Sequence, residues 1–111
     1  MRTMQVREAK SGSHVLVNGD ENITTGYSWQ YEIQGDDCKK AITLSDGQNT
    51  KLALQNLLGG GGRRHFDFEI AADAPEIYCS IAFKYERPWL LKKDTSLMDQ
   101  TPGDVISFQI V

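Results

Sequence analysis

Residues 63–85 read RRHFDFEIAADAPEIYCSIAFKY, and this stretch decides the fold class. Its apolar side chains recur at every second position, as Phe66, Phe68 and Ile70 and then as Ile77, Cys79, Ile81, Phe83 and Tyr85. A period of two residues puts alternate side chains on opposite faces of a β-strand. The stretch therefore predicts two half-buried strands, at 63–71 and 76–85, joined by a short turn.

The same period extends outward to other parts of the chain. Residues 104–111 put Ile106, Phe108 and Ile110 on one face, and residues 27–33 alternate aromatic and polar side chains. Both stretches predict further strands.

Weaker strand candidates are residues 3–9, 15–17, 41–44 and 51–54. Asn18-Gly19-Asp20 is typical of a turn, so we expect the second of these strands to end there. Residues 49–58 fit either a strand or one or two turns of helix capped by Asn49 or Thr50.

The length and the order of these elements favour one domain. A chain of 111 residues can bury one core of its own. Several short strands separated by turns, with no alternation of strands and helices, predict a sandwich or a barrel. We therefore expect a single all-β domain over residues 1–111.

Composition disfavours two classes of partner. The net charge of −3 lacks the basic footprint that nucleic-acid binding needs. No stretch approaches the roughly 20 apolar residues of a membrane-spanning helix.

Residues 1–13 lack the apolar segment of a secretory signal, so we expect no signal peptide in this chain.

The two cysteines, Cys38 and Cys79, lie far apart in the sequence. Cys79 alternates with apolar residues and is expected to be a small core side chain. We expect both to be free thiols, hence a reducing compartment, with the cytoplasm and lysosome-like vesicles both open as locations.

The first of three unusual loops is within NITTGYSW, residues 22–29. Gly26 tolerates a positive φ that threonine avoids, so the chain can turn sharply there. Such a turn would present the Thr24 and Thr25 hydroxyls outward, while Trp29 anchors the base in the core. An ordinary turn into an aromatic strand is the alternative interpretation.

The second loop has four consecutive glycines, Gly59–Gly62, in LLGGGGRRHF. A backbone without side chains allows a partner's backbone to approach closely. Phosphate binding is disfavoured, because the segment lacks a Gly-Lys-Ser/Thr ending and leads into a strand instead of a helix. A hairpin loop without a function is the other alternative.

The third loop is ERPWL, residues 86–90. Pro88 fixes its own φ and pushes Arg87 toward extended geometry, so the preceding strand ends stiffly. Arginine and tryptophan are enriched at binding hot spots, and Trp89 is expected to be exposed. The alternatives are that Trp89 covers the sandwich end as a lid, or that Arg87 stacks on it.

The strand order relates these loops to one another. Two of them precede predicted strands and the third follows one, so in an antiparallel sandwich they can fall at one end. Three loops at one end of a rigid scaffold would form a binding surface.

Together the three loops resemble the chagasin-type inhibitors of cysteine peptidases. Members of that family share an NPTTG loop followed by an aromatic residue and a tryptophan, a GxGG loop and an RPW loop, in this order. The corresponding segments here read NITTGYSW, GGGG and RPW, and the resemblance runs from about Val15 to Val111. Ile23 stands where the family usually has proline, so the first loop loses one fixed φ.

The resemblance implies an immunoglobulin-like antiparallel β-sandwich of seven to eight strands. It also implies reversible, tight, competitive inhibition of papain-like cysteine peptidases, including papain and cathepsin L-like enzymes, by loops 22–27, 58–64 and 86–90. The first loop would enter the cleft over the catalytic cysteine, with the other two on its flanks. The implied peptidase-binding residues are Asn22, Thr24, Thr25, Gly26, Tyr27, Gly59, Gly60, Gly61, Gly62, Arg87, Pro88 and Trp89. We expect a monomer with no cofactor and no metal.

Two other classes of function remain open. An immunoglobulin-like adhesion or carbohydrate-binding module would use the same loop end, ideally through a flat platform of Trp89, Tyr27 and Tyr31. An enzyme is disfavoured, because His14 and His65 lie in unrelated segments and neither cysteine has a basic neighbour. The acidic residues, including the pair at 36–37, show no metal-ligand spacing.

Overall fold

The computed structural model describes residues 5–47, 49–50, 62–92, 94–100 and 103–111. Within these ranges the strands are β1 Gln5–Ala9, β2 His14–Glu21, β3 Ser28–Ile33, β4 Ile42–Asp46, β5 Asn49–Thr50, β6 Gly62–Ile70, β7 Tyr78–Glu86 and β8 Asp104–Ile110. The helix α1 is Asp36–Ala41, and short 3-10 turns occupy Ile23–Thr25, Pro88–Leu90 and Leu97–Gln100. No helix in this part of the chain is long and apolar enough to span a membrane.

The strands form two sheets. One has the order β1-β8-β7-β3, and the other has the order β2-β6-β4 with β5 also paired to β6. Each described pair is antiparallel except β1 with β8. The predicted all-β, immunoglobulin-like sandwich of seven to eight strands is confirmed, with one parallel pair added at its edge.

The core lies between the inward faces of β6, β7 and β8. Phe68, Phe83 and Phe108 are fully buried, and the rings of Phe68 and Phe83 meet at a centroid distance of 6.1 Å. These are residues that the period of two assigned to buried faces. Burial of such large apolar side chains supplies most of the stabilisation of a domain this size.

The prediction that a turn at Asn18-Gly19-Asp20 ends the first-half strand is wrong. β2 continues through these residues to Glu21, and it pairs with β6 along its whole length, from His14 opposite Glu69 to Glu21 opposite Gly62. Gly19 lies on the buried face of β2, in phase with Val15 and Val17. Eight paired positions override a local turn preference, because alternate positions of the ladder add hydrogen bonds and all of them add side-chain contacts.

The shorter strand predictions have mixed outcomes. β1 confirms the described part of the candidate at 3–9, and β4 confirms the candidate at 41–44 except for Ala41, which ends α1. Asn49–Thr50 forms a strand, whereas the candidate at 51–54 and the rest of the helical alternative over 49–58 lie outside the described residues.

The prediction of free thiols is also wrong, because Cys38 and Cys79 form a disulfide. Cys38 lies on the helix α1, which packs against β7, and the two Cα atoms are 5.8 Å apart across a separation of 41 residues. Cys79 is buried, as expected, but as half of a disulfide. The argument for a reducing compartment therefore loses its basis.

Replacing both cysteines with alanine is expected to lower the free energy of unfolding by about 2–4 kcal/mol. The bond closes a long stretch of chain and so restricts the unfolded state. Urea unfolding of the double variant and of the native protein with and without reductant would measure this. Equal midpoints for the native protein in both conditions would contradict the prediction.

Candidate functional site

The strand register brings the described parts of the three predicted loops to one end of the sandwich. Glu21, the last residue of β2, lies opposite Gly62, the first of β6. Ser28, the first residue of β3, lies opposite Glu86, the last of β7. The chain therefore leaves β2, enters β3, enters β6 and leaves β7 at the same end. Gly59, Gly60 and Gly61 lie outside the described residues.

A buried carboxylate, that of Glu21, joins the two sheets beneath this end. The Glu21 side chain is fully buried, and its carboxylate accepts the backbone N–H of Trp29 at 2.8 Å. The Arg64 guanidinium pairs with the same carboxylate at 2.8 Å and also donates to the Gly47 carbonyl. Glu21 thus connects the ends of β2, β3 and β6. A buried carboxylate held by several donors fixes the positions of those donors.

The first loop is a single 3-10 turn organised by Asn22. The Asn22 side-chain oxygen accepts two hydrogen bonds from Thr24, one from its N–H at 3.2 Å and one from the Thr24 hydroxyl at 2.6 Å. The Asn22 carbonyl accepts the Thr25 hydroxyl at 2.7 Å and the Thr25 N–H at 3.3 Å. The Asn22 N–H donates to the Tyr85 hydroxyl at 2.9 Å, which ties the loop to β7.

Gly26 closes the first loop against the third. Its φ is +84°, a conformation that L side chains rarely adopt. A Cβ atom built there would lie 2.9 Å from Cη2 of the Trp89 indole, so the close approach also requires glycine. The two loops are therefore in direct contact.

The third loop turns at Pro88–Leu90 and leaves its apolar side chains in solvent. Trp89 is 70% exposed and Leu90 is 59% exposed. The N–H groups of Leu90 and Leu91 donate to the carbonyls of Arg87 and Pro88, which fixes the turn. Exposed neighbouring apolar side chains on an ordered turn are typical of an interaction surface.

Arg87 supplies the second link between the two loops. Its guanidinium carbon lies 4.8 Å from the centre of the Tyr27 ring, and its Nε donates to the Thr25 carbonyl at 3.4 Å. The Tyr27 ring also stacks on Tyr85 at a centroid distance of 5.5 Å. A cation against an aromatic ring adds to the attraction between the loops.

This geometry agrees with the comparisons to known proteins. A family model described as chagasin family peptidase inhibitor I42 matches residues 8–97. The chain belongs to the chagasin family. That family consists of peptidase inhibitors, so the protein is not an enzyme.

One solved structure supports the fold of this chagasin-family chain. It is the crystal structure of a cysteine protease inhibitor from Entamoeba histolytica, with a TM-score of 0.66 and 16% sequence identity. The match covers 98% of this chain and 86% of the other. No curated protein matches the chain.

Two side-chain expectations for this chagasin-family surface need correction. The Thr24 and Thr25 hydroxyls were expected to point outward, but both donate to Asn22 within the loop, although the two residues are exposed. Arg87 was considered as a partner for Trp89, but it lies over Tyr27. The interpretation of Trp89 as a lid that covers the sandwich end is excluded, because the Trp89 side chain is exposed.

Sequence reasoning missed Glu32 on β3, which binds the segment that follows the third loop. Its carboxylate accepts the Ser96 hydroxyl at 2.7 Å and the Leu97 N–H at 3.1 Å, and Leu97 is buried. Burial favours a higher pKa for Glu32, but these hydrogen bonds, one from Gln34 and the charge of Lys39 outweigh it, so the pKa is lowered. The charged carboxylate therefore holds the chain that follows the third loop.

The histidines of the chagasin-family chain lie outside this surface. His14 begins β2 at the opposite end, where its Nδ1 meets the Asp67 carboxylate at 2.6 Å. This hydrogen bond raises the pKa of His14 above its ordinary value. His65 is exposed on β6. Among the described residues no group of histidine, cysteine and acidic side chains is arranged to hold a metal ion.

Proposed function

We propose that this protein is a reversible, tight-binding, competitive inhibitor of papain-like cysteine peptidases such as papain and cathepsin L-like enzymes. In this proposal it acts as a monomer. The observation that carries it is the contact of Trp89 with Gly26, which joins the first and third loops into one exposed surface. Family membership and the fold shared with a cysteine protease inhibitor support the same conclusion.

The shape of the first loop suits the cleft of such an enzyme. The nucleophile there is a thiolate beside a histidine, and it attacks a peptide carbonyl held in line. The Ile23–Thr25 turn projects from a scaffold fixed by Glu21, with Thr24 and Thr25 exposed. A folded turn can fill the cleft without presenting a carbonyl in the attacking geometry.

The third loop would contact one flank of the cleft through Trp89, with Pro88 and Arg87 holding it in place. Gly62 is buried as the first residue of β6, so the backbone contacts on the other flank would come from Gly59, Gly60 and Gly61, which precede it in sequence. Tight binding is expected because the first and third loops are ordered by their own hydrogen bonds, which lowers the entropy lost on association.

The adhesion or carbohydrate-binding alternative loses its structural support. A flat platform of exposed Trp89, Tyr27 and Tyr31 would have favoured it. Tyr31 instead packs edge-on against Phe66 and Phe68, at centroid distances of 5.6 and 5.3 Å.

The test is a titration of the full chain into papain and a cathepsin L-like enzyme with a fluorogenic substrate. Loss of activity at stoichiometric inhibitor, relieved by excess substrate and absent for a serine peptidase, would support the proposal. Size-exclusion chromatography of the mixture would give the stoichiometry. No inhibition at micromolar concentration would overturn the proposal.

For the cellular location we propose an oxidising compartment. Disulfides such as Cys38–Cys79 persist where thiols are not kept reduced. Alkylation and mass measurement of protein taken directly from its source cells would test this, and free thiols in that sample would contradict it.

Replacing Ile23 with proline is expected to preserve papain affinity or to improve it by up to about fivefold. Residue 23 opens the 3-10 turn, and proline at a first turn position fixes a φ that suits it. The measurement is the inhibition constant of both proteins. A marked loss of affinity would mean that this loop lies differently from those of its relatives.

A further inference from the structure

We infer that Asn22 protects the inhibitor from its own target, by holding the first loop in a shape that a cysteine peptidase cannot cut. This inference rests on the proposed function and adds a role to one residue of the same surface. Asn22 acts here as a positioning residue that works through its neighbours.

A peptidase cuts a peptide that is bound in an extended form. An extended peptide pairs its backbone N–H and carbonyl groups with the walls of the cleft, as an added strand does at a sheet edge. Only then does one carbonyl carbon lie in line with the thiolate at a distance of about 3–3.5 Å. Any interaction that keeps the backbone folded therefore opposes cleavage.

Three backbone N–H groups of the first loop form hydrogen bonds within it. The N–H groups of Thr24 and Thr25 both donate to Asn22, and the N–H of Tyr27 donates to the Thr25 hydroxyl at 3.3 Å. The Thr25 hydroxyl itself donates to the Asn22 carbonyl. To become extended, the loop must break all of these bonds at once. The N–H and hydroxyl of Thr24 both end on the Asn22 side chain, and the two Thr25 bonds end on its main-chain carbonyl.

Asn22 can hold the loop because the scaffold holds Asn22. Its N–H donates to Tyr85, and it directly follows the buried Glu21, whose carboxylate binds Arg64 and the Trp29 N–H. At the other end of the loop, Arg87 binds the Thr25 carbonyl. The turn is therefore fixed at both ends, and the Asn22 side chain is the internal brace between them.

Without that brace the loop can enter the enzyme's reaction. The thiolate attacks a carbonyl carbon within residues 22–27, the C–N bond breaks, and the amine leaves with a proton from the histidine. Water then hydrolyses the thioester, which returns the thiol and adds one molecule of water to the inhibitor. The inhibitor becomes a slow substrate.

The experiment compares Asn22→Ala with the native chain and with Asn18→Ala during incubation with stoichiometric papain. Asn18 is an exposed asparagine of β2 outside the loop, so it is the matched control. Intact mass and residual activity are followed over time. We expect Asn22→Ala to be cut within 22–27 about tenfold faster than the other two or more, with papain activity returning as it is cut. Asn22→Asp, which keeps the acceptor oxygen, should stay intact.

Each other outcome is decisive. Asn22→Ala that binds papain and stays intact overturns this inference alone, as does a variant that loses affinity without being cut. A native chain that does not inhibit papain overturns both this inference and the proposed function. If Asn22→Ala proves unfolded and is cut throughout, Thr25→Val decides, because it removes two loop hydrogen bonds at an exposed position. A cut in its 22–27 segment supports the inference, and an intact chain overturns it.

Discussion

Replacing Trp89 with alanine is expected to weaken papain inhibition by about 30- to 1,000-fold, the range of a binding hot spot. Trp89 is 70% exposed in the free protein, and its position over Gly26 directs the indole outward from the joined loops. Binding would bury this large side chain, whereas folding does not. The inhibition constant of the variant against papain measures the effect.

Stability and a matched aromatic provide the controls. The free energy of unfolding should change by no more than about 0.5 kcal/mol, because the substitution removes an exposed side chain. Tyr78→Ala removes an aromatic side chain that is 65% exposed at the opposite end of β7, and it should leave inhibition unchanged. Equal affinity of Trp89→Ala and the native protein would remove the third loop from the interface.

Replacing Glu21 with alanine is expected to lower the free energy of unfolding by about 3–5 kcal/mol. The substitution leaves Arg64 partly buried without its carboxylate and leaves the Trp29 N–H without its acceptor. Affinity for papain should fall as well, because the Glu21 link between the end of β2 and the start of β3, which flank the first loop, would be lost. Urea unfolding and the inhibition constant measure the two effects.

Three further variants separate charge from packing at this position. Glu21→Gln keeps an acceptor for Trp29 but loses the charge, so its stability should lie between those of the native protein and Glu21→Ala. The double variant Glu21→Leu, Arg64→Met should recover part of the lost stability, because no charge is left unpaired. Glu69→Ala, at an exposed position on β6, should be close to the native value. A Glu21→Ala protein as stable as this control would show that the ion pair contributes nothing.

The regular strands could be predicted because the polarity of each residue indicates which face of the strand it occupies. Phe66 and Phe68 in β6, and Ile81 and Phe83 in β7, are buried at the positions that the period of two assigned to them. Such strands have one buried face and one solvent-exposed face, so the sequence alone indicates their register. The order of the three loop motifs indicated the family.

The course of β2 could not be read in the same way. Asn18-Gly19-Asp20 has strong local turn preferences, and only pairing with β6 over eight positions keeps it extended. A weaker signal was present, since Glu21 falls on the buried face together with Val15 and Val17. A charged residue at a position on the buried face of a strand indicates a buried partner, which the structure identifies as Arg64.

Contacts between distant segments were beyond the reach of the sequence. The disulfide depends on α1 packing against β7, and α1 itself was not predicted. The choice of Tyr27 over Trp89 as the partner of Arg87 depends on how the two loops meet in space. The inward hydrogen bonds of Thr24 and Thr25 depend on the turn geometry.

The Cys38–Cys79 bond also determines which cleavages of the backbone leave the two fragments covalently linked. It closes a covalent ring that contains residues 39–78, and the glycine-rich second loop lies inside this ring. A single nick there opens the ring but leaves both fragments linked, so the damaged protein still runs as one species without reductant. The first and third loops lie outside the ring, and a nick in either divides the polypeptide into two separate chains. Covalent connectivity thus tolerates damage to one of the three loops and not to the other two.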